Sequence, residues 1–354
     1  MMKKNWKRVV CLGMAIAMLS LLLSACSSNT PSNNSAAPGG TSNEPAADDG
    51  TVYTMKLGGQ WADSSVHSKM FTEVFIPQVE ERSGGRIKCE WYGNNALGNE
   101  MDQLTQLQMG QLHLATLSDQ SATIDPAHMF LPYLPFLFES EEHWDTVVDG
   151  ELGEQMVANM PNSGIRCLGF DENGYRVVTN NVRPINNAAD MQGLKMRVTS
   201  SDMYIALFSA LGSSCQAMTL GEAYSALETG ACDGQDNAYN TILSSGLYEV
   251  QKYMANTNHV LGTLYVCVSE SWYQSLPADL QDIVSQCVKD ACQWERETYR
   301  SQAEADRQAL LDNGLEETNP DIESFKAATA SVYDDFVAKY PEVADLVAAI
   351  QAAA

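Results

Sequence analysis

Residues 277–312 carry no interior Gly or Pro, and their pattern is helical throughout. At ~1.5 Å per residue such a helix spans roughly 50 Å. That exceeds one ordinary lobe, so the stretch predicts a long helix bridging two lobes, with a kinked or broken helix as the alternative. A second helical pattern covers 322–339, and the chain shows no internal repeat.

The first half alternates between two periods. Residues 52–57 read as a strand followed by a Gly-Gly-Gln-Trp turn, and 69–82 as a helix closing at Ser83-Gly84-Gly85. In 86–92, Ile87, Cys89 and Trp91 alternate with Lys88, Glu90 and Tyr92, which is a strand pattern. Residues 100–109 form a helix pattern stopped by Gly110, and 112–117 another strand. Strand, helix, strand, helix, strand argues an α/β layer fold with a largely parallel sheet. Pro126, Pro132 and Pro135 break up the apolar stretch 129–138, which predicts a lining loop. Residues 165–170 and 175–180 read as strands around an Asp171-Glu-Asn-Gly174 turn. Segment 194–199 alternates again, with Leu194, Met196 and Val198 on one face and Lys195, Arg197 and Thr199 on the other. Helices follow at 202–211 and 221–229, and a buried strand at 261–269.

The N-terminus fixes an address. Lys3, Lys4, Lys7 and Arg8 precede an uncharged, mostly apolar run over 9–25, which ends in Leu23-Ser-Ala-Cys26. A basic head, a short apolar middle and a small-residue exit form a secretory signal, and the run is short for a membrane span. The ending resembles a bacterial lipobox, so Cys26 is the expected lipidation site after removal of 1–25. Residues 27–49 hold no aliphatic residue larger than Ala and cannot bury enough apolar surface to offset their ordering entropy. Segment 26–50 therefore reads as a flexible tether on an extracytoplasmic, membrane-anchored body.

About 300 residues remain, enough for a core split into two lobes. The formal net charge of −24 argues against nucleic-acid binding, because an acidic surface repels phosphate. Seven cysteines lie in the body, without Cys-x-x-Cys spacing. Mostly free thiols are expected, and a zinc framework is weakly supported. No nucleophile elbow, His-Glu-x-x-His, phosphate loop or Gly-x-Gly-x-x-Gly appears, and none of the five His stands at ligand spacing from another. No cofactor or metal is expected, and no constellation asks for an enzyme.

Several segments occur together in order: Gly193-Leu-Lys-Met-Arg-Val, Ala210-Leu-Gly, Met218-Thr-Leu-Gly-Glu-Ala-Tyr-Ser-Ala-Leu-Glu-Thr-Gly and Cys232-Asp-Gly-Gln-Asp-Asn237. Tyr248-Glu-Val-Gln-Lys-Tyr, Thr257-Asn-His and Ser275-Leu-Pro continue the series, and Ala96-Leu-Gly-Asn-Glu100 and Leu134-Pro-Phe-Leu-Phe precede it. Together they resemble the solute-binding subunit of a TRAP (tripartite ATP-independent periplasmic) transporter of the DctP type, from about residue 52 to the C-terminus. The resemblance implies a two-lobed, class II-like periplasmic-binding-protein fold with a hinge. Lobe I is expected over 51–173 and 263–302, and lobe II over 174–262 and 303–354.

It also implies a ligand carboxylate clamped by the arginine of the Leu-Lys-x-Arg-Val strand, here Arg197. A guanidinium fork fits a carboxylate bidentately, which Lys cannot do. Arg176 matches the family's second arginine, with an ion pair to an acid such as Asp171 as the plain alternative. Asn237 matches a ligand-contacting Asn, with a turn-forming role as its alternative. Gln60 and Trp61 end the first strand, His67 begins the next helix, Glu100 starts another, and Ser118 and Asp119 end a strand. Each is a candidate contact for a hydroxylated ligand, or else a cap or turn residue. Some sialate-binding relatives place an aromatic where Leu220 stands, so sialate is disfavoured.

The reading that follows is a binding subunit for a hexuronate or other sugar acid, delivering it to the small and large membrane permease subunits. The alternatives are a C4-dicarboxylate binder of the same family, the binding protein of an ATP-driven importer or a chemosensory receptor, and a secreted carbohydrate-acid enzyme.

Overall fold

The computed structural model describes residues 50–354. The signal segment, Cys26 and the tether up to residue 49 lie outside the described residues. No described helix is long and apolar enough to cross a membrane.

Among the described residues, eleven strands build two mixed sheets. β1 (Tyr53–Gly58), β2 (Ile87–Tyr92), β3 (Leu114–Leu117), β4 (Ile165–Tyr175) and β10 (Leu261–Ser269) form the first, in the order β2-β1-β3-β10-β4. The strand–helix–strand pattern of the first half gives the parallel β2-β1-β3 part, while β10 pairs antiparallel with both β3 and β4. The second sheet contains β5 (Val177–Asn180), β6 (Lys195–Val198), β7 (Ser214–Ala217), β8 (Gly234–Asn237), β9 (Tyr253–Ala255) and β11 (Glu316–Thr318). Its order is β11-β9-β5-β8-β6-β7.

The chain passes between sheets three times. Only Arg176 separates β4 from β5, residues 256–260 lead from β9 back to β10, and a helix carries the chain over again to β11. That helix, Ala278–Asp312, is an unbroken 35 residues, so the bridging expectation holds and the broken alternative falls. Leu280, Val284 and Val288 pack with Met70 and Phe75 against the first sheet, while Leu310 packs with Val177 and Leu227 beside the second. Each fully buried Leu or Val contributes roughly 1.5–3 kcal/mol, so the helix is held from both ends. Arg300 Nε, on the same helix, donates to Glu172 Oε2 at 2.7 Å, and Asn240 Nδ2 donates to Asp306 Oδ2 at 2.9 Å.

Four local expectations need correction. Residues 171–174 are not a turn: β4 runs through them, paired with β10, and turns only at Gly174 (φ +60°), where a Cβ would sit 2.6 Å from the Tyr299 ring. The helix expected from 69 begins at Val66, capped by the Ser65 hydroxyl, and widens to a π-helix over Met70–Phe75. Pro77 explains the widening, since it lacks an N–H and its ring crowds the Glu73 carbonyl; Ile76 N–H bonds Phe71 O, five residues back. The 129–138 stretch is mainly core, with Met129, Leu131, Leu134 and Leu137 buried. Finally, β7, β8, β9 and β11 are strands whose composition does not announce them. β8 is Gly-Gln-Asp-Asn, yet all four residues are buried between β5 and β6, and a Cβ on Gly234 would lie 2.3 Å from Thr179 O. All seven body cysteines are free thiols.

Candidate ligand-binding site

Between the two sheets lies a cavity of about 80 Å³. β6 aims Arg197 into it for the reason its alternation suggests: Met196 and Val198 are buried in the core on one face, and Arg197 occupies the other. Arg197 is only 2% exposed. Its Nη2 donates to Met218 O at 2.7 Å, while its Nε is buried without a partner. Among the described residues no carboxylate forms an ion pair with it. Burial pulls its pKa down to about 10; Asp236 and Asp119 pull it up, and the Arg176 charge pushes it further down.

Arg176, at the crossing between sheets, is placed differently. Its Nε donates to Asp236 Oδ2 and its Nη2 to Asp236 O, both at 2.6 Å, and its guanidinium lies 4.8 Å from the Tyr204 ring centre. The His259 ring contributes a third contact to Asp236, Nε2 to Oδ2 at 3.2 Å, with Thr257 Oγ1 2.8 Å from Nδ1. Burial disfavours the Arg176 charge, but Asp236 outweighs it and the pKa is raised. Asp236 responds in kind: burial pushes its carboxyl up, and Arg176 and His259 more than reverse that. Arg176 therefore lines the cavity as a neutralised ion pair, and its acid is Asp236 rather than Asp171.

Asn237, at the end of β8, donates from Nδ2 to Gln235 Oε1 at 2.6 Å. Gln235 Nε2 in turn donates to Thr179 Oγ1 at 2.8 Å, which orients the Asn237 amide toward the cavity. Asp119 follows β3, and Thr199 follows β6; the Thr199 hydroxyl donates to Asp119 Oδ2, a bond that links the two sheets. Burial pushes the Asp119 carboxyl up to about 6, against the pull of Thr199.

Gln60, Trp61 and Glu100 also line the cavity. The Glu100 carboxylate, however, is filled by protein donors. Ser118 N, Ser118 Oγ, Ser121 N, Ser121 Oγ and Gln60 Nε2 all reach it, at 2.6–3.0 Å. Its work is to fold the turn after β3 that presents Asp119. His67 is not in the lining. It lies one layer behind, its ring 4.4 Å from that of Trp61 and bonded to Asp171 and Asn173.

Sequence reasoning did not single out Tyr133, Asn173, Tyr204, Thr241 or Thr263, all of which line the cavity. Asn173 was hidden by the mistaken turn. Tyr204 faces the cavity from the first turn of a helix whose sequence is apolar on most sides, so periodicity carried no signal. Leu220, the position at which some sialate binders carry an aromatic, does line the cavity.

Residues 57–340 match the family model of bacterial extracellular solute-binding protein, family 7 (DctP). The chain belongs to this family. It is a TRAP-type solute-binding protein with the two-lobed α/β fold of its relatives. It is 30% identical over 293 residues to the 2,3-diketo-L-gulonate-binding periplasmic protein of Escherichia coli, covering 80% of this chain and 86% of that protein. A TRAP periplasmic solute-binding protein from Chromohalobacter salexigens, solved with bound D-glucuronate, superposes with a TM-score of 0.82 at 29% identity, over 85% of this chain and 100% of the other. One from Sulfitobacter, with bound β-D-galacturonate, gives 0.81 at 28% identity, over 84% and 99%.

Proposed function

We propose that this DctP protein binds a monocarboxylate sugar acid, a hexuronate foremost, with Arg197 clamping the carboxylate. One observation carries the reading: Arg197 is a buried guanidinium with no anionic partner of its own. A buried charge needs a partner, and a planar fork of donors prefers a carboxylate. The charge count favours one carboxylate over two. Arg176 is already matched by Asp236, so a C4-dicarboxylate would bring a second negative charge with no uncompensated cation to meet it. The neutral lining fits a polyol: Asn237, Asn173, Thr199, Thr241 and Gln60 offer amides and hydroxyls to ring hydroxyls. The hexuronates held by the two superposed relatives agree with this assignment.

The lobes, 51–173 with 263–302 and 174–262 with 303–354, close about the crossings near Gly174, residues 256–260 and the long helix. The liganded form hands its acid to the membrane permease subunits, and Cys26 tethers it by lipid to the outer face of the membrane. Binding without turnover is the role: a uronate recovered unchanged in mass after incubation supports it over the enzyme alternative. The test of the ligand class is a thermal-shift screen against uronates, aldonates, sialate and C4-dicarboxylates. Ligand that binds only the folded form raises the melting temperature. A shift with uronates or aldonates supports the reading; a shift confined to dicarboxylates overturns it.

A further inference from the structure

Where β4 passes beneath the long helix, three side chains from three elements converge: His67 from the helix that begins at Val66, Asp171 from β4 and Glu295 from Ala278–Asp312. All three are buried. His67 Nδ1 lies 3.1 Å from Asp171 Oδ2 and 3.5 Å from Glu295 Oε1, and one ligand atom from each residue falls within 4.8 Å of the others.

The other ring nitrogen has an acceptor of its own. His67 Nε2 is 3.4 Å from Asn173 Oδ1, an amide oxygen that also accepts from the Thr241 hydroxyl at 3.3 Å. An amide oxygen only accepts, so a ring protonated at Nε2 leaves Nδ1 free to ligate. It faces two carboxylates. Asp171 Oδ1 and Glu295 Oε1 are, moreover, buried without a hydrogen-bond partner. The nearby cations are engaged elsewhere, Arg296 with Asp145 and Asp149, and Arg300 with Glu172 and Asp145. Three potential ligand atoms are thus buried together, and a cation there can replace the protons that would otherwise be shared among them.

We propose that His67, Asp171 and Glu295 bind a divalent transition-metal cation of the zinc class. The charge balances, since a doubly charged ion neutralises two carboxylates beside a neutral imidazole. The spacing also fits. Nitrogen and oxygen ligands at ~2.0–2.2 Å around a tetrahedral ion stand roughly 3.3–3.6 Å apart, close to the two separations from Nδ1. A mixed imidazole–carboxylate set suits zinc or manganese better than calcium or magnesium, which take oxygen alone. The ion would rivet the first helix, β4 and the long helix together directly behind Trp61 and Asn173, two walls of the ligand cavity. Sequence spacing conceals such a site, because its ligands come from three distant segments.

The test uses the purified full chain stripped of metal by chelation and titrated calorimetrically with zinc ion and, separately, calcium ion. The expected result is one zinc per chain, tighter than calcium, and an X-ray absorption spectrum showing a single imidazole among oxygen ligands. Glu295→Gln should weaken zinc by roughly tenfold or more. Glu297→Gln, an exposed acid on the same helix, should leave it unchanged and so controls for the acidic surface. Absence of stoichiometric binding, or equal affinity in Glu295→Gln, overturns the proposal and leaves a proton shared within an imidazolium–carboxylate cluster. Should Glu295→Gln fail to fold, the wild-type spectrum decides: an all-oxygen shell places the metal elsewhere and refutes the site.

Discussion

Replacing Arg197 with Ala should abolish useful ligand binding while sparing the ligand-free fold. The guanidinium makes one bond to Met218 O, leaves Nε unpartnered and has no acid of its own, so in the complex a ligand carboxylate supplies the missing acceptor. Removing one member of a buried, hydrogen-bonded charge pair costs roughly 3–5 kcal/mol, about two to nearly four powers of ten in Kd. The effect on the ligand-free protein has the opposite tendency. Burial, the largest influence on Arg197, holds its pKa at about 10, below its ordinary value. A base with a lowered folded pKa disfavours its charged form, so the penalty persists at every pH below about 10 and fades only as pH rises through it. At neutral pH, truncation therefore relieves strain rather than adding it. Calorimetry with D-glucuronate and thermal unfolding with and without ligand read both quantities. The ligand-free melting temperature should hold or rise, and the ligand-induced shift should vanish. Arg197→Lys should not rescue binding, because an ammonium cannot reproduce the fork. A Kd within threefold of wild type would falsify the clamp, and a large fall in ligand-free stability would make Arg197 structural.

Asp236→Asn should behave in the contrary way, losing about 3–5 kcal/mol of stability because it strands buried Arg176 and removes the acceptor for His259; an unchanged urea midpoint would show that the pair carries nothing. Asp119→Asn should remove a pH dependence of stability. The folded carboxyl is raised to about 6 by burial, so its contribution is fully present below about pH 4 and lost as pH rises through about 6, a change of about 3 kcal/mol. Parallel unfolding curves for wild type and variant across that window would contradict this. Glu100→Gln should cost about 1–3 kcal/mol in stability and weaken sugar-acid binding, since the Ser118 and Ser121 donors lose acceptor oxygens and the Asp119 turn loosens. Wild-type affinity with a lowered melting point would confine Glu100 to folding alone.

Much of the scaffold was legible because it is written in local periodicity. The alternation over 194–199 placed Arg197 opposite Met196 and Val198, and β6 does so in the structure. The uninterrupted stretch after Pro277 became one helix, since nothing in it costs the backbone a hydrogen bond. The site's partners were less legible. Asp171 was read into a turn because Asp, Asn and Gly favour turns in isolation, but pairing with β10 and burial against His67 and Glu295 override that preference.

By itself, the sequence determined the long helix, the strand–helix alternation of the first half, which face of β6 is polar, and the family to which the chain belongs, because these rest on patterns within one segment or on ordered motifs. Only the tertiary structure decided which arginine lacks a counter-ion. Arg176 and Arg197 look alike along the chain, and Asp236 lies 60 residues from the one it neutralises. The same is true of Glu100, whose carboxylate is consumed by its own protein, and of the buried meeting of His67, Asp171 and Glu295. Charge compensation and burial are properties of neighbours in space, and folding chooses those neighbours from distant strands and helices.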